Sequence, residues 1–198
     1  MLTLFFAAVI GYFVGSVPFG LVLTRCAGLG DIRKIGSGNI GATNVLRTGR
    51  KDLAAATVLL DMGKAGLVAL LFKFLFNDEC IGLVAGTAAV IGHNFPVWLR
   101  FKGGKGVAST LGLMLLMSPS VGICAVLTWL VMAFSFKYSS LSALVALSFA
   151  PLYALIFDYQ TASMFYTGLA LLSLYRHKSN IYRLLRGEES KINLRKHK

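Results

Sequence analysis

The sequence predicts an all-α integral membrane protein with seven transmembrane helices, on three observations. The 198 residues are 56% hydrophobic and only 14% charged, too apolar for an ordinary soluble domain. Apolar runs occupy about residues 2–24, 53–76, 80–99, 107–117, 119–136, 139–157 and 160–175. Eighteen of the 20 Lys and Arg residues fall in four places, namely residues 25–51, 100–105, Lys137 and 176–198. The remaining polar gaps at Asn77-Asp78-Glu79, Ser118-Pro119-Ser120 and Asp158 hold no basic residue. Basic loops stay in the cytoplasm, so this alternation puts the N-terminus outside and the C-terminus inside.

The first run is too long, and lacks the charged leading region, for a cleavable signal peptide; it is expected to remain as a span. Five runs approach or exceed the ~20 residues that cross a ~30 Å hydrocarbon core. Residues 107–136 are too many for one straight span and too few for two full ones. A single crossing there would place Lys137 and the basic tail outside and Asp158 inside. Splitting it at Ser118-Pro119-Ser120 restores the alternation and makes the fourth helix short. Residues 103–106, just before it, are predicted to dip into the protein interior. The whole chain, 1–198, reads as one membrane-embedded domain. Residues 187–198 form a basic cytoplasmic tail, frayed or lying on the surface from about Arg186 onward. A net charge of +12 suits a membrane face and anionic substrates; concentrated on one side of the bilayer, it excludes a nucleic-acid partner. Cys26, Cys80 and Cys124 are scattered and odd in number, so no disulfide framework or metal site is expected.

Two inner loops carry the chemistry. The first holds Gly36, Ser37, Gly38, Asn39, Gly41, Thr43 and Asn44, followed by Arg47. It matches GxGxxG, but no strand precedes it and no βαβ unit fits between two spans. Its physical content is a backbone able to aim amides at one anion, with an Arg to grip a phosphate. The alternative is a merely flexible Gly-rich loop. The second loop holds Gly103, Gly104 and Lys105. Its glycines are expected to expose N–H groups at a helix N-terminus beside the Lys105 cation.

Ionisable residues inside spans are functional candidates by default. Asp61 and Lys64, three apart, share one face of the second span, Asp61 lying about 13 Å deep at 1.5 Å per residue. His93 with Asn94 sits near the inner end of the third. A structural polar cluster and a direct substrate role are both open readings. Ser139, Ser140 and Ser142 open the sixth span, and His177 and Asn180 close the seventh on one helical side. For His177, interfacial and catalytic readings both stand. Residues 15–20, around Pro18, break the first helix and could admit a loop.

The runs GSVPFG (15–20), GSGNIGATN (36–44), LDMGKAG (60–66), GHNFPVWLRFKGGKGVA (92–108) and RHKSNIYRLLRG (176–187) resemble the bacterial acyl-phosphate:glycerol-3-phosphate acyltransferase family. The resemblance covers essentially the whole chain. It departs from the family pattern at Ala65, where Gly is usual, and Ser109, where Thr is common. It implies a seven-helix enzyme of the bacterial cytoplasmic (inner) membrane, with its site on the cytoplasmic side. The implied reaction moves a fatty acyl group from acyl phosphate to the 1-hydroxyl of sn-glycerol 3-phosphate, giving lysophosphatidate and inorganic phosphate. This is the first acylation of phospholipid biosynthesis, with membrane lipid as the surroundings and no cofactor. The resemblance carries catalytic roles to Ser37, Arg47, Lys105, Ser142, His177 and Asn180. The reading of the two loops adds substrate binding at Gly36, Gly38, Asn39, Gly41, Thr43, Asn44, Gly103 and Gly104, and that of the intramembrane polar cluster adds a supporting role for Asp61, Lys64 and His93. No His is followed five residues later by Asp, so the HxxxxD base of other glycerolipid acyltransferases is absent from the sequence. The hydroxyl proton goes to His177 or to a substrate phosphate; with so few titratable side chains in the loops, the phosphate is expected. An anion transporter would spread polar residues toward both faces. A lipid phosphatase would need a nucleophilic His or a metal cluster, and neither pattern is evident.

Overall fold

The computed structural model describes residues 1–192, and these form ten α-helices and three short 3-10 turns, with no strand among the described residues. The helices are α1 (Leu2–Gly15), α2 (Phe19–Cys26), α3 (Ala42–Val45), α4 (Lys51–Phe76) and α5 (Glu79–Asn94). They continue with α6 (Val107–Met117), α7 (Pro119–Phe136), α8 (Ser139–Ile156), α9 (Gln160–Arg176) and α10 (Lys178–Leu185). Five stretches are long and apolar enough to cross a membrane: Leu2–Cys26, Lys51–Phe76, Glu79–Leu99, Pro119–Phe136 and Ser139–Ile156. α6 has only 11 residues and α9 has 17. Large apolar side chains such as Phe5, Phe74, Phe134, Ile156 and Met164 are more than half exposed, as faces against lipid would be.

The break between α6 and α7 falls at Ser118, with Pro119 opening α7. A proline lacks the N–H that a continuous helix would need but is favoured in a first turn. Ser118 is buried and accepts a hydrogen bond from the Tyr166 hydroxyl at 2.9 Å, which fixes the kink to α9.

Small residues let the helices touch backbone to backbone, as bundles in lipid do. A Cβ on Gly11 or Gly15 of α1 would strike the Ala85 or Ala89 carbonyl of α5. One on Gly66 of α4 would strike the Gly112 carbonyl of α6. α4 thus sits centrally against α1, α5 and α6, while α7, α8 and α9 pack in sequence beside them.

The break between α1 and α2 has the anticipated use. The helix breaks at Pro18, and beside the break the Val17 carbonyl accepts from the Phe19 amide at 3.2 Å and from Lys64 Nζ at 3.0 Å. The missing Cβ of Gly20 makes room for the Ile40 carbonyl. Ile40, Ile32, Leu21 and Val45 then form a second small apolar core that seats the first loop against α2 and α4.

The tail lies on the surface as expected, with Gly187, Glu188, Ser190 and Lys191 exposed, but residues 187–192 are held rather than frayed and cross the ends of α8 and α10. The Ile192 amide donates to the Lys137 carbonyl at 2.7 Å, and the Glu189 side chain is only 6% exposed. The acidic Glu189 finds donors there, which a purely basic tail could not use. Residues 193–198, the rest of the expected tail, lie outside the described residues.

Candidate active site

One cavity of about 820 Å³ opens where the two inner loops, the ends of α8 and α9, α10 and the tail converge. Its polar lining includes Ser37, Thr43, Arg47, Lys105, His177 and Asn180. Its apolar lining includes Val58 and Met62 of α4, Leu111 of α6, and Val126 and Trp129 of α7. Asp61 and His93 line it too.

The first loop braces itself. Asn44 is 2% exposed, and its Nδ2 reaches the carbonyls of Ile32, Ile35 and Asn39 at 2.8–3.0 Å. Its Oδ1 accepts the Ser37 amide at 3.1 Å. The Asn39 side chain accepts the Gly41 amide at 2.8 Å, and the Gly38 amide donates to the Ile35 carbonyl. Asn44 therefore spends its polar atoms on the loop rather than on an anion, as does the side-chain oxygen of Asn39. Gly36, at φ +55°, is needed because a Cβ there would overlap the Arg47 side chain and Asn44 Oδ1. The gap lets Arg47 lie across the loop, where its guanidinium donates to Ser190 Oγ at 2.6 Å. Thr43 pairs with Ser139 at 3.1 Å, anchoring the loop to α8.

The second loop corrects an expectation. The Gly103 and Gly104 amides do not face a phosphate. They donate to the Asn94 and His93 carbonyls, which the C-terminus of α5 leaves unpaired. The Gly103 and Gly104 carbonyls in turn accept from Arg176, whose guanidinium stacks 4.9 Å from the Phe95 ring centroid. A Cβ on Gly104 would overlap the His93 imidazole, so this glycine serves packing. Lys105, freed by that anchorage, turns to the cavity and donates to Asn180 Oδ1. Burial, with the nearby guanidiniums of Arg183, Arg176 and Arg47, pulls its pKa down to about 8, against the opposing pull of the Glu189 carboxylate.

Beneath Gly104, Lys64 Nζ lies 2.8 Å from Asp61 Oδ1 and 2.8 Å from His93 Nδ1. The Asp61 contact is an ion pair by distance but lies outside hydrogen-bonding geometry, leaving Oδ1 without a hydrogen-bond partner. With the Val17 contact, this cluster links the helix break, α4 and α5. Asp61 and His93 reach the cavity, while Lys64 faces the break behind them.

Past the end of α9, His177 is 2% exposed, and its Nδ1 lies 2.8 Å from the Ser173 carbonyl. A carbonyl only accepts, so Nδ1 carries the proton and Nε2 the lone pair. Burial, then the Lys105 charge, lowers its pKa to about 4. Ser142 is fully buried, and its hydroxyl donates to the Tyr138 carbonyl at 2.8 Å; Ser139 and Ser140 line the cavity instead. A serine in the first turn of a helix readily back-bonds in this way, which withdraws it from the site.

Two site residues escaped sequence reasoning, Glu189 and Arg183. Glu189 accepts from Ser140 at 2.8 Å, Asn180 Nδ2 at 2.7 Å and Arg183 Nε at 2.7 Å. Burial pushes its carboxyl up, but these hydrogen bonds outweigh it and hold the carboxyl below its ordinary range. The available signal was that Glu188 and Glu189 are the two acids in an otherwise basic tail.

A family model described as glycerol-3-phosphate acyltransferase matches residues 5–187. A glycerol-3-phosphate acyltransferase of Rhodospirillum rubrum is 58% identical over 196 residues, covering 96% of this chain and 91% of its own. That of Paramagnetospirillum magneticum is 59% identical, covering 99% and 97%. The crystal structure of PlsY (YgiH), an integral membrane glycerol 3-phosphate acyltransferase, superposes in its glycerol 3-phosphate form with a TM-score of 0.90 at 36% identity, covering 96% of both chains.

Proposed function

This chain belongs to the glycerol-3-phosphate acyltransferase family, and from that premise we propose that it acylates the 1-hydroxyl of sn-glycerol 3-phosphate. The donor is acyl phosphate, and the products are lysophosphatidate and inorganic phosphate. One observation carries this reading: a single cavity is lined both by cationic and hydrogen-bonding side chains and by apolar side chains of α4, α6 and α7. A donor with a phosphate head and a hydrocarbon chain needs both at once. The enzyme spans the bacterial cytoplasmic membrane seven times, as one domain, with its N-terminus outside and the cavity mouth in the cytoplasm. The short α6 and α9 count as spans in this topology. The interleaving of basic and non-basic loops supports it.

The acceptor hydroxyl oxygen attacks the donor carbonyl carbon, the carbon–oxygen bond to phosphate breaks, and its electron pair leaves on the phosphate. Arg47 and Lys105 hold the phosphates, and Asn180 sets Lys105. The cations stabilise the charge that grows on the carbonyl and on the leaving group in a partly dehydrated site. Ser37 lines the same cavity as Arg47. Neutral His177 orients substrate through Nε2. With its pKa near 4 it is a weak proton acceptor at neutral pH. A substrate phosphate, with a pKa near ~6, fits the base better and carries the hydroxyl proton away. The acyl donor is already activated, so no covalent enzyme intermediate is needed.

The test is release of inorganic phosphate from palmitoyl phosphate by the purified protein, with and without glycerol 3-phosphate. Release that requires the acceptor, matched by an equal amount of lysophosphatidate, is expected. Release without the acceptor would make the cavity a hydrolase, and no release would overturn the reading.

A further inference from the structure

Lys105 reaches the cavity on a long, flexible side chain, and a point charge must be held still to stabilise a transition state. Its partner is Asn180 Oδ1. An Asn carboxamide can present either its oxygen or its NH2 to a neighbour, and only the surrounding network decides which. Here Lys105, which can only donate, and Glu189, which can only accept, decide it together. The Glu189 carboxylate accepts from Asn180 Nδ2 at 2.7 Å, which leaves only the oxygen to face Lys105. Glu189 is itself fixed by Ser140 from α8 and by Arg183 from α10.

The charges around Lys105 sharpen the need. Arg47 faces it from the first loop, Arg176 and neutral His177 from the end of α9, and Arg183 from α10. The Asp61–Lys64–His93 cluster lies below, with the His93 ring against Gly104. Glu189 is the anion that acts on Lys105 most strongly.

We propose that Glu189 is a positioning residue that fixes the Asn180 carboxamide and, through it, holds the Lys105 ammonium charged and aimed at the donor phosphate. The proposal rests on the role given to Lys105 above. It extends the site to the tail, past the residues 5–187 that the family model matches.

Two measurements on the full-length protein test it. One is the pH profile of kcat/KM for glycerol 3-phosphate-dependent phosphate release, whose alkaline limb reports the free enzyme's Lys105. The other is competitive acetylation of Lys105 with acetic anhydride across pH, read by peptide mass spectrometry, which needs no activity. In Glu189→Gln both transitions are expected to move down by about one pH unit, because a nearby carboxylate is lost from a site of intermediate dielectric. In Glu189→Asp the charge stays, so the labelling transition is expected to hold its place. Its kcat should still fall by about tenfold, because the shorter carboxylate withdraws from Asn180. A folded Glu189→Gln variant with both transitions unmoved would overturn the proposal. Where that variant does not fold, Glu189→Asp decides: wild-type kcat overturns the proposal, and reduced kcat with an unmoved labelling transition supports it. Were the wild type itself inactive on palmitoyl phosphate, the acyltransferase reading would fail, while the labelling shift would still report on the Glu189–Lys105 link.

Discussion

The two glycine-rich loops read alike as sequence and are built in opposite ways. The first folds around a side chain. Asn44 gathers three loop carbonyls and the Ser37 amide, and the loop is then laid on α2 and α4 by Ile32 and Ile40. The second has no clasp of its own. It is pinned by its amides to the end of α5 and by its carbonyls to Arg176 of α9. In both, glycine amides that could have bound an anion serve to hold the loop. What each loop presents to the cavity is therefore a cation, Arg47 from one and Lys105 from the other. The shared Gly-plus-cation pattern reflects two scaffolds that deliver a charge, rather than two copies of one phosphate cradle.

The comparison breaks most directly at the cations. Arg47→Ala and Lys105→Ala are each expected to lower kcat/KM by about 10²–10³-fold, with the protein still folded and inserted in the membrane. Near-wild-type turnover of palmitoyl phosphate in either would return the phosphate to the backbone amides. Arg47→Lys should still cost about tenfold, since an ammonium does not reproduce the guanidinium fork.

The scaffolds should fail differently. Gly104→Ala forces a methyl into the His93 ring and is expected to destabilise by about 1–3 kcal/mol, loosening the α5–α9 contact. Asn44→Ala strands buried loop carbonyls at about 1–3 kcal/mol, yet that damage should stay local. Limited proteolysis separates the two. Cleavage confined to residues 30–50 is expected for Asn44→Ala, and wider exposure reaching α9 for Gly104→Ala.

Titration sharpens the contrast further. Lys105 must be protonated to act, and its pKa near 8 places the alkaline limb of kcat/KM there; its contribution is full below that pH and lost above it. His177, neutral down to about pH 4, should add no acid limb near neutrality. A limb near 6 that survives in His177→Ala would belong to a substrate phosphate. The smallest effect is expected at Ser190→Ala, which removes only a neutral partner of Arg47 and should change KM for the donor by a few-fold at most.

Much of the architecture was legible because local rules decide it. Ser118-Pro119 falls in a polar gap and ends one helix as it starts another, and Pro18 breaks α1 from α2 for want of an N–H, whereas Pro151 is carried inside α8. Arg47, Lys105, His177 and Asn180 were readable as candidates and do converge on one cavity. Ser142 was assigned by resemblance, and its hydroxyl is turned to the Tyr138 carbonyl of its own helix start. Gly103 and Gly104 were misread because an amide's partner depends on carbonyls nine and eleven residues away, at the end of another helix. Glu189 was missed because counting charge over a tail hides one acid among many bases.

By itself, then, the sequence determined that this protein is helical and apolar, where its helices stop, and which cations lie near one another in the loops. Those features follow from composition, proline chemistry and charge placement, each decided within a few residues. The tertiary structure decided what each polar atom faces: which amides are spent on loop anchorage, which way the Asn180 carboxamide points, and that the tail returns to place a carboxylate beside it. Hydrogen bonds over such long sequence separations form only once the helices are packed, and local propensity does not encode them.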